Sequence, residues 1–142
     1  MEQQIAYKYS RIGLEQFAIF EENFVANDKE IQFQTEMQFS FDAYTNVFCS
    51  KVVVSAFQLD KPILKACLDS HFEISAESIG VLRKDGKIAF SPALLVQFSS
   101  FCYGALRGVI FAKTQDTPLN TIVLPPIYLD RIIDKSFEIS ER

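Results

Sequence analysis

Residues 30–42, EIQFQTEMQFSFD, alternate between apolar and polar side chains, with Thr35 among the apolar residues at odd positions. The apolar side chains stand at odd positions: Ile31, Phe33, Met37, Phe39 and Phe41. Because successive side chains of a strand point to opposite faces, this period of two places the aromatic rings on one face of a sheet and the amides and acids on the other. A sheet with one polar face favours antiparallel pairing.

Three other segments predict the remaining strands. Residues 46–59, NVFCSKVVVSAFQL, are rich in β-branched residues and apolar on both faces, which is typical of a central strand. Residues 62–74, PILKACLDSHFEI, alternate again and begin with Pro62, whose missing N–H costs little at a strand start. We expect the first strand at residues 14–24, and turn signals at Asn27-Asp28 and Asp60-Lys61-Pro62 separate the segments.

A long helix is expected after the strands. Asp85-Gly86 is a tight-turn signal, Ser91 suits an N-cap and Pro92 suits the first helical position. We expect the helix to run to about Lys113. Two apolar stripes run along it: Leu94, Phe98, Phe101, Ala105 and Val109, and then Leu95, Cys102, Leu106 and Ile110. This arc is wider than one contact with a sheet requires.

Small residues line one side of the same helix, since Ser100, Gly104 and Gly108 are spaced four apart. Each glycine inside a helix costs roughly 1 kcal/mol relative to alanine. Close packing against a partner helix would offset that cost and is the interpretation we favour, with packing inside the chain as the alternative. For Arg107 we favour the interpretation within one chain, in which it contacts carbonyls or acids near the helix end. The alternative is an ion pair between subunits of an oligomer.

The C-terminal part predicts an extended arm and a short helix. Residues 114–123, TQDTPLNTIV, lack periodicity, and Pro125-Pro126 favours an extended backbone. Apolar residues at helical spacing follow: Leu129, Ile132, Ile133 and Phe137. The predicted class is therefore α+β: a four-stranded antiparallel sheet followed by a long helix, a crossover loop and a short C-terminal helix packed on one face.

Composition limits the function. The 142 residues are expected to form one domain, and the hydrophobic share of 49% and charged share of 23% argue against disorder. A net charge of −4 without a Lys/Arg-rich run argues against nucleic-acid and anionic-membrane partners. We expect no signal peptide in MEQQIAYKYS, and no apolar run near the ~18 residues of a membrane span. Fourteen phenylalanines exceed what a small core easily hides, so some should line an interface or groove.

Catalytic and metal-binding motifs are missing from the sequence. Cys49, Cys67 and Cys102 are expected to be buried reduced thiols of a cytoplasmic protein, and His71 is the single histidine. Asp69, His71 and Glu73 share the polar face of one strand, where a solvated face explains them as well as an acid–base cluster does. We expect neither an enzyme nor a cofactor nor a metal site.

The order of these elements resembles the SecB-type protein-export chaperones. The segment VVVSAFQLDKPILKACLDSHFEIS, residues 52–75, looks like the paired third and fourth strands of that family. Arg107-Gly108 matches the family's Arg-Gly, and Leu124, Pro126 and Asp130 match a Leu-x-Pro-x-x-x-Asp pattern. The loop between these motifs is longer here than in the export chaperones, and the tail SFEISER is shorter.

The resemblance implies a homodimer or homotetramer and an apolar groove under the arm for unfolded polypeptide clients. The SecA motor is then a candidate partner. Candidate groove residues are Phe57, Phe72, Ile122, Leu124, Ile127 and Tyr128, for each of which core packing is the alternative. Candidate interface residues are Ser100, Gly104, Arg107 and Gly108.

Two other functions fit the sequence less well. The same fold could serve as an interaction subunit with one dedicated protein partner. A thioesterase of hot-dog type also joins a long helix to an antiparallel sheet, but its helix usually precedes most of the strands.

Overall fold

A sheet of four antiparallel strands, covered on one face by a long helix, is the main feature of the computed structural model, which describes residues 4–26 and 30–141. The strands, in chain order, are β1 (Tyr7–Ile19), β2 (Gln32–Asp42), β3 (Val47–Gln58) and β4 (Lys61–Ile74). Their spatial order is β1-β4-β3-β2, so β1 and β2 are the edges. The predicted fold class is confirmed.

Strand pairing fixes which side chains face the helix. Phe48 lies opposite Phe72 and Val52 lies opposite Leu68 in the β3–β4 register, and these inner positions are fully buried. The even positions of β3 and the odd positions of β2 therefore point inward, as the alternation in residues 30–42 indicates. The loop between β3 and β4 consists of Leu59 and Asp60, both at positive φ, which is the geometry of a type I′ hairpin turn.

The first strand begins and ends earlier than the predicted residues 14–24. β1 pairs with β4 from Tyr7 to Ile19, and the chain then leaves the sheet through a 3₁₀ turn at Glu21–Asn23. Two register shifts interrupt β1, between Tyr9 and Arg11 and between Leu14 and Gln16. Such bulges break the period of two, so the alternation rule fails there. The turn predicted at Asn27-Asp28 lies outside the described residues.

A second, three-stranded sheet was not predicted. A short helix α1 (Ala76–Leu82) follows β4 and leads into β5 (Arg83–Lys84) and β6 (Lys87–Phe90). Asp85 and Gly86, both at positive φ, form the predicted tight turn between them. The sheet is completed by β7 (Phe137–Ser140) in the order β5-β6-β7.

The long helix agrees with its prediction. α2 spans Pro92–Lys113, and the Ser91 hydroxyl accepts a hydrogen bond from the Leu94 amide at 3.2 Å. By length and composition α2 passes for a membrane span, with a mean hydropathy of 1.4, so the expectation that no apolar run approaches that length was wrong. A core helix passes the same test, and α2 buries residues such as Leu95 and Leu106 against the sheet.

The terminal helix is shorter than predicted. After a 3₁₀ turn at Pro118–Thr121, the helix α3 covers only Leu129–Ile132. Ile133 already has extended backbone, with φ −100° and ψ 98°. Phe137, assigned from its spacing to the helix, lies in β7 opposite Phe90. The spacing of the apolar residues is compatible with either a helix or a strand at Phe137, and the pairing with β6 makes it a strand.

The core has two halves. One contains inner residues of β3 and β4 with Leu106, Ile110, Leu119, Ile122 and Leu124. The other contains an aromatic group of Phe41, Phe48, Phe72, Phe90 and Phe98, with Leu129 and Ile133. The buried serines Ser50 and Ser70, which face each other in the β3–β4 register, stand between the two halves in sequence order.

Candidate functional site

Residues 122–128, which we call the arm, run without helix or strand from the 3₁₀ turn to α3. Ile122 and Leu124 are buried, whereas Val123 between them is 67% exposed and Tyr128 is 63% exposed. The Tyr103 hydroxyl of α2 donates a hydrogen bond to the Pro125 carbonyl at 2.6 Å. Burial raises the pKa of Tyr103, so the phenol remains a donor at neutral pH. The arm is thus fixed to α2 at its middle.

The predicted groove residues fall into four groups. Phe72, Ile122 and Leu124 are buried in the core, and the Phe72 ring stacks on Phe98 at 4.3 Å. Ile127 is half-buried and packs against both halves of the core. Phe57 stands at an odd position of β3, so it lies on the outer face, opposite to Phe72. Tyr128 alone of the six is largely exposed.

Beside the arm, the inner face of β2 is less covered than the rest of the sheet. Ile31, just before β2, and Phe33 and Met37 on it are half-buried, whereas the inner residues of β3 are fully buried. Tyr103, which holds the arm, lies about 200° around α2 from Phe101. The Phe101 ring lies 5.8 Å from that of Tyr9 on β1, so the arm lies on the β2 side of α2.

We call this surface the arm flank: Ile31, Phe33, Met37, Ile127, Val123 and Tyr128. Four of its members were not among the predicted groove residues: Ile31, Phe33, Met37 and Val123. Val123 could have been found from an alternation over residues 122–124, because the prolines that follow favour an extended chain, in which neighbouring side chains point to opposite sides.

A second exposed apolar surface lies on the other side of α2. It includes Ile12 at 54% exposure, together with Leu14, Phe101 and Phe111. The predicted interface residues Ser100, Gly104, Arg107 and Gly108 are exposed and lie on the outward side of the same helix. We call these eight residues the α2 surface.

The helical glycines have no partner within the described chain. A Cβ atom added at Gly104 or Gly108 would meet nothing within 4 Å, so close packing inside residues 4–26 and 30–141 does not explain them. The Arg107 guanidinium lies 5.6 Å from the centre of the Tyr103 ring, a cation–π distance. That contact replaces the expected contact of Arg107 with carbonyls or acids near the helix end.

The outer face of the sheet carries a polar cluster. His71 Nε2 lies 2.9 Å from Asp69 Oδ1, and Lys51 Nζ lies 2.9 Å from Glu15 Oε2. Asp69 is only 9% exposed, so the solvated-face interpretation suits Glu73 but not Asp69. An open cleft of about 570 Å³ adjoins this cluster, with His71 and Glu73 in its lining, and it lies away from the arm.

The Cys67 thiol on the outer face and the Cys102 thiol on α2 are poor nucleophiles. The Cys67 thiol donates to Glu15 Oε2 at 3.2 Å. Burial, with the Glu15 carboxylate adding to it, raises the pKa of Cys67 to about 11. Burial also raises the pKa of Cys102 to about 11. Because the thiolate is the reactive form and a raised pKa keeps the thiol protonated at neutral pH, a structural role suits both cysteines.

Comparison with known proteins gives a likeness of fold. No protein-family model and no curated protein matches the sequence. A solved structure of the SecB-like chaperone Rv1957 of Mycobacterium tuberculosis, in complex with a ChAD peptide from the Rv1956 HigA1 antitoxin, matches with a TM-score of 0.54 and 13% identity, over 86% of this chain and 91% of that one. A Streptococcus agalactiae protein of unknown function matches with a TM-score of 0.47 and 9% identity, over 89% of this chain and 100% of that one. The likeness to the mycobacterial chaperone, together with the order of strands and helices, shows that this chain has a SecB-like fold.

Proposed function

We propose that this protein is a chaperone-type binder of non-native polypeptide, with the arm flank as the contact surface. The observation that carries the proposal is the set of exposed and half-buried apolar side chains on the arm and on the inner face of β2. An adaptable apolar surface suits varied clients because it requires no precise polar partner. The attachment of the arm at Pro125 lowers the ordering cost of binding, since the surface exists before the client arrives.

The comparison supports the chaperone class. The mycobacterial protein of similar fold is a SecB-like chaperone, and its structure contains a bound peptide. Protein export with delivery to the SecA motor is the narrower form of the proposal, for which the element order resembling the export chaperones is the support.

We also propose that the protein forms a homodimer or homotetramer through the α2 surface. Support comes from Phe101 and Phe111, which are 45% and 58% exposed, and from the open space at Gly104 and Gly108. A second helix can approach closely where side chains are small, and the exposed rings would be buried beside it.

An aggregation assay tests client binding. The purified protein should suppress the aggregation of a chemically unfolded client at equimolar subunits, without nucleotide. The double variant Val123→Ser/Tyr128→Ser should lose most of this activity, because it removes the two most exposed apolar side chains of the arm. The control is Tyr44→Ser, since Tyr44 is fully exposed in the β2–β3 turn, outside the arm flank. Equal activity of both variants would refute the assignment of the surface.

A dedicated protein partner is the second candidate function. The peptide bound in the mycobacterial structure comes from one antitoxin, and this is the support for the alternative. Affinity capture distinguishes the two functions. Capture of one stoichiometric protein by the wild type, but not by Val123→Ser/Tyr128→Ser, favours the dedicated partner. Many substoichiometric proteins favour general chaperoning.

A further inference from the structure

The last strand of the protein occupies a site that resembles a peptide-binding groove. β7 pairs antiparallel with β6 along one side, over the four residue pairs from Lys87–Ser140 to Phe90–Phe137. Its side chains alternate between half-buried Phe137 and Ile139 and exposed Glu138 and Ser140. An extended segment that adds to a sheet edge and places alternate side chains in apolar sockets is a common mode of peptide recognition.

The sockets beneath β7 are aromatic. The Phe137 ring lies 5.9 Å from Phe48 and 6.2 Å from both Phe39 and Phe90. Ile139 lies opposite Ile88, which is almost fully buried. If β7 left this position, the aromatic half of the core would be exposed along the free edge of β6.

Charges hold the two ends of β7 to its neighbours. Arg83 makes two contacts with the Glu141 carboxylate, at 2.6 and 3.0 Å, and the Glu141 amide donates to the Gly86 carbonyl at 2.9 Å. Lys87 Nζ lies 3.6 Å from Glu138 Oε2. The Lys87–Glu138 pair is about half exposed, and exposed pairs contribute little to stability. The Arg83–Glu141 pair is bidentate, with Glu141 only 29% exposed, so it is the stronger of the two.

The connection to α3 permits release. Ile133 is buried, but Asp134, Lys135 and Ser136, which join it to β7, are all exposed. β7 can therefore leave β6 without moving α3. Local opening of one short segment costs less than unfolding of the whole domain.

We propose that β7 is an internal occupant of a second binding groove, which an extended client segment takes over when β7 is displaced. The preferred occupant has two apolar side chains at alternate positions, with acidic residues between and after them, as in Phe137-Glu138-Ile139-Ser140-Glu141. Arg83 and Lys87 then select the acidic residues. This inference deepens the proposed function, on which it rests, by naming the class of client segment and a site that closes itself.

A peptide with the sequence of residues 136–141, SFEISE, carrying a fluorophore, serves as the probe of the full-length protein. In the variant Glu138→Lys/Glu141→Lys the strand is repelled by Arg83 and Lys87, so fluorescence anisotropy should show at least tenfold tighter peptide binding than in the wild type. Adding Arg83→Glu/Lys87→Glu restores the ion pairs with reversed sign and should abolish the gain. A peptide with serine in place of its phenylalanine and isoleucine should not bind any variant.

A covalent lock provides the second measurement. Ala89 and Glu138 face each other across β6 and β7, so Ala89→Cys/Glu138→Cys places two thiols in positions suited to a disulfide. Peptide binding should be lost on oxidation and return on reduction. Unchanged peptide affinity in Glu138→Lys/Glu141→Lys, or binding to the locked form, would overturn the inference. A variant that dimerises by exchanging β7, without release by peptide, would also overturn it and make the occupant a second copy.

The outcome is separable from that of the proposed function. If the peptide displaces β7 as expected but no variant suppresses client aggregation, the chaperone proposal is refuted and the proposal of a groove beneath β7 stands. If aggregation is suppressed but the peptide never displaces β7, the groove proposal is refuted and client binding at the arm flank stands.

Discussion

Gly13 and Asp69 face each other on β1 and β4, and the carboxylate occupies the space that a side chain at position 13 would need. A Cβ atom at Gly13 would lie 2.5 Å from Asp69 Oδ1, well inside contact distance. The carboxylate has little freedom to move, because it is buried and accepts a hydrogen bond from His71. The need for glycine here comes from a neighbour across the sheet, which no local pattern in the sequence reveals.

We therefore predict that Gly13→Ala lowers the free energy of unfolding by about 1–3 kcal/mol, measured by urea denaturation. Gly80→Ala is the matched control. Gly80 lies in α1 with nothing within 4 Å of an added Cβ, so alanine should raise stability by up to about 1 kcal/mol. The cost of Gly13→Ala should shrink when Asp69→Ala is added. An equal cost with and without Asp69 would show that the carboxylate is not the cause.

The elements show where local patterns suffice. β2, β3, β4 and α2 lie close to their predicted bounds, because a regular period, a serine cap and a proline at the first helical position are local signals. The predicted bounds of β1 were wrong because its bulges break the period of two. The strands β5 to β7 were not predicted because two to four residues are too few to show a periodic pattern. The same limit applies to the arm: its extended form followed from its prolines, but the burial of Ile122 and Leu124 depends on what packs over them.

The α2 surface yields a prediction in which stability and association change in opposite directions. Gly104→Ala and Gly108→Ala should each stabilise the isolated subunit by about 0.5–1 kcal/mol, because alanine is the better helix former and the space is open. If a partner helix packs there, the added methyl groups should weaken association.

Light scattering coupled to size exclusion, beside urea denaturation under dissociating conditions, measures the two effects. A fall in oligomer mass together with higher subunit stability is the expected result. The Gly80→Ala protein again serves as the control, with higher stability and unchanged mass. Alanine at both helical positions with no loss of mass would place the oligomer contact elsewhere.

At the scale of the whole molecule, the question is whether the two halves of the core unfold together. Met37 and Ile127 pack against both halves, and α2 contributes buried residues to each. Against this, Ser50 and Ser99 have buried hydroxyl groups without a hydrogen-bond partner in the described structure, a costly feature near the middle of the core. The shared elements should outweigh this weak point, because the long helix α2 and the strands β2, β3 and β4 contribute residues to both halves.

We accordingly predict a single cooperative transition, as expected of one domain. Leu95 belongs to the aromatic half and Leu106 to the other, and both are essentially fully buried on α2. Leu95→Ala and Leu106→Ala should each lower the free energy of unfolding by about 2–5 kcal/mol. For each variant, the urea transition followed by far-UV circular dichroism should coincide with the transition followed by tyrosine fluorescence. Because the two substitutions are chemically identical, a difference between their effects on the free energy of unfolding reflects a difference in packing between the two halves of the core. If Leu95→Ala displaced only part of the transition while Leu106→Ala displaced the rest, the molecule would be two folding units joined by one helix.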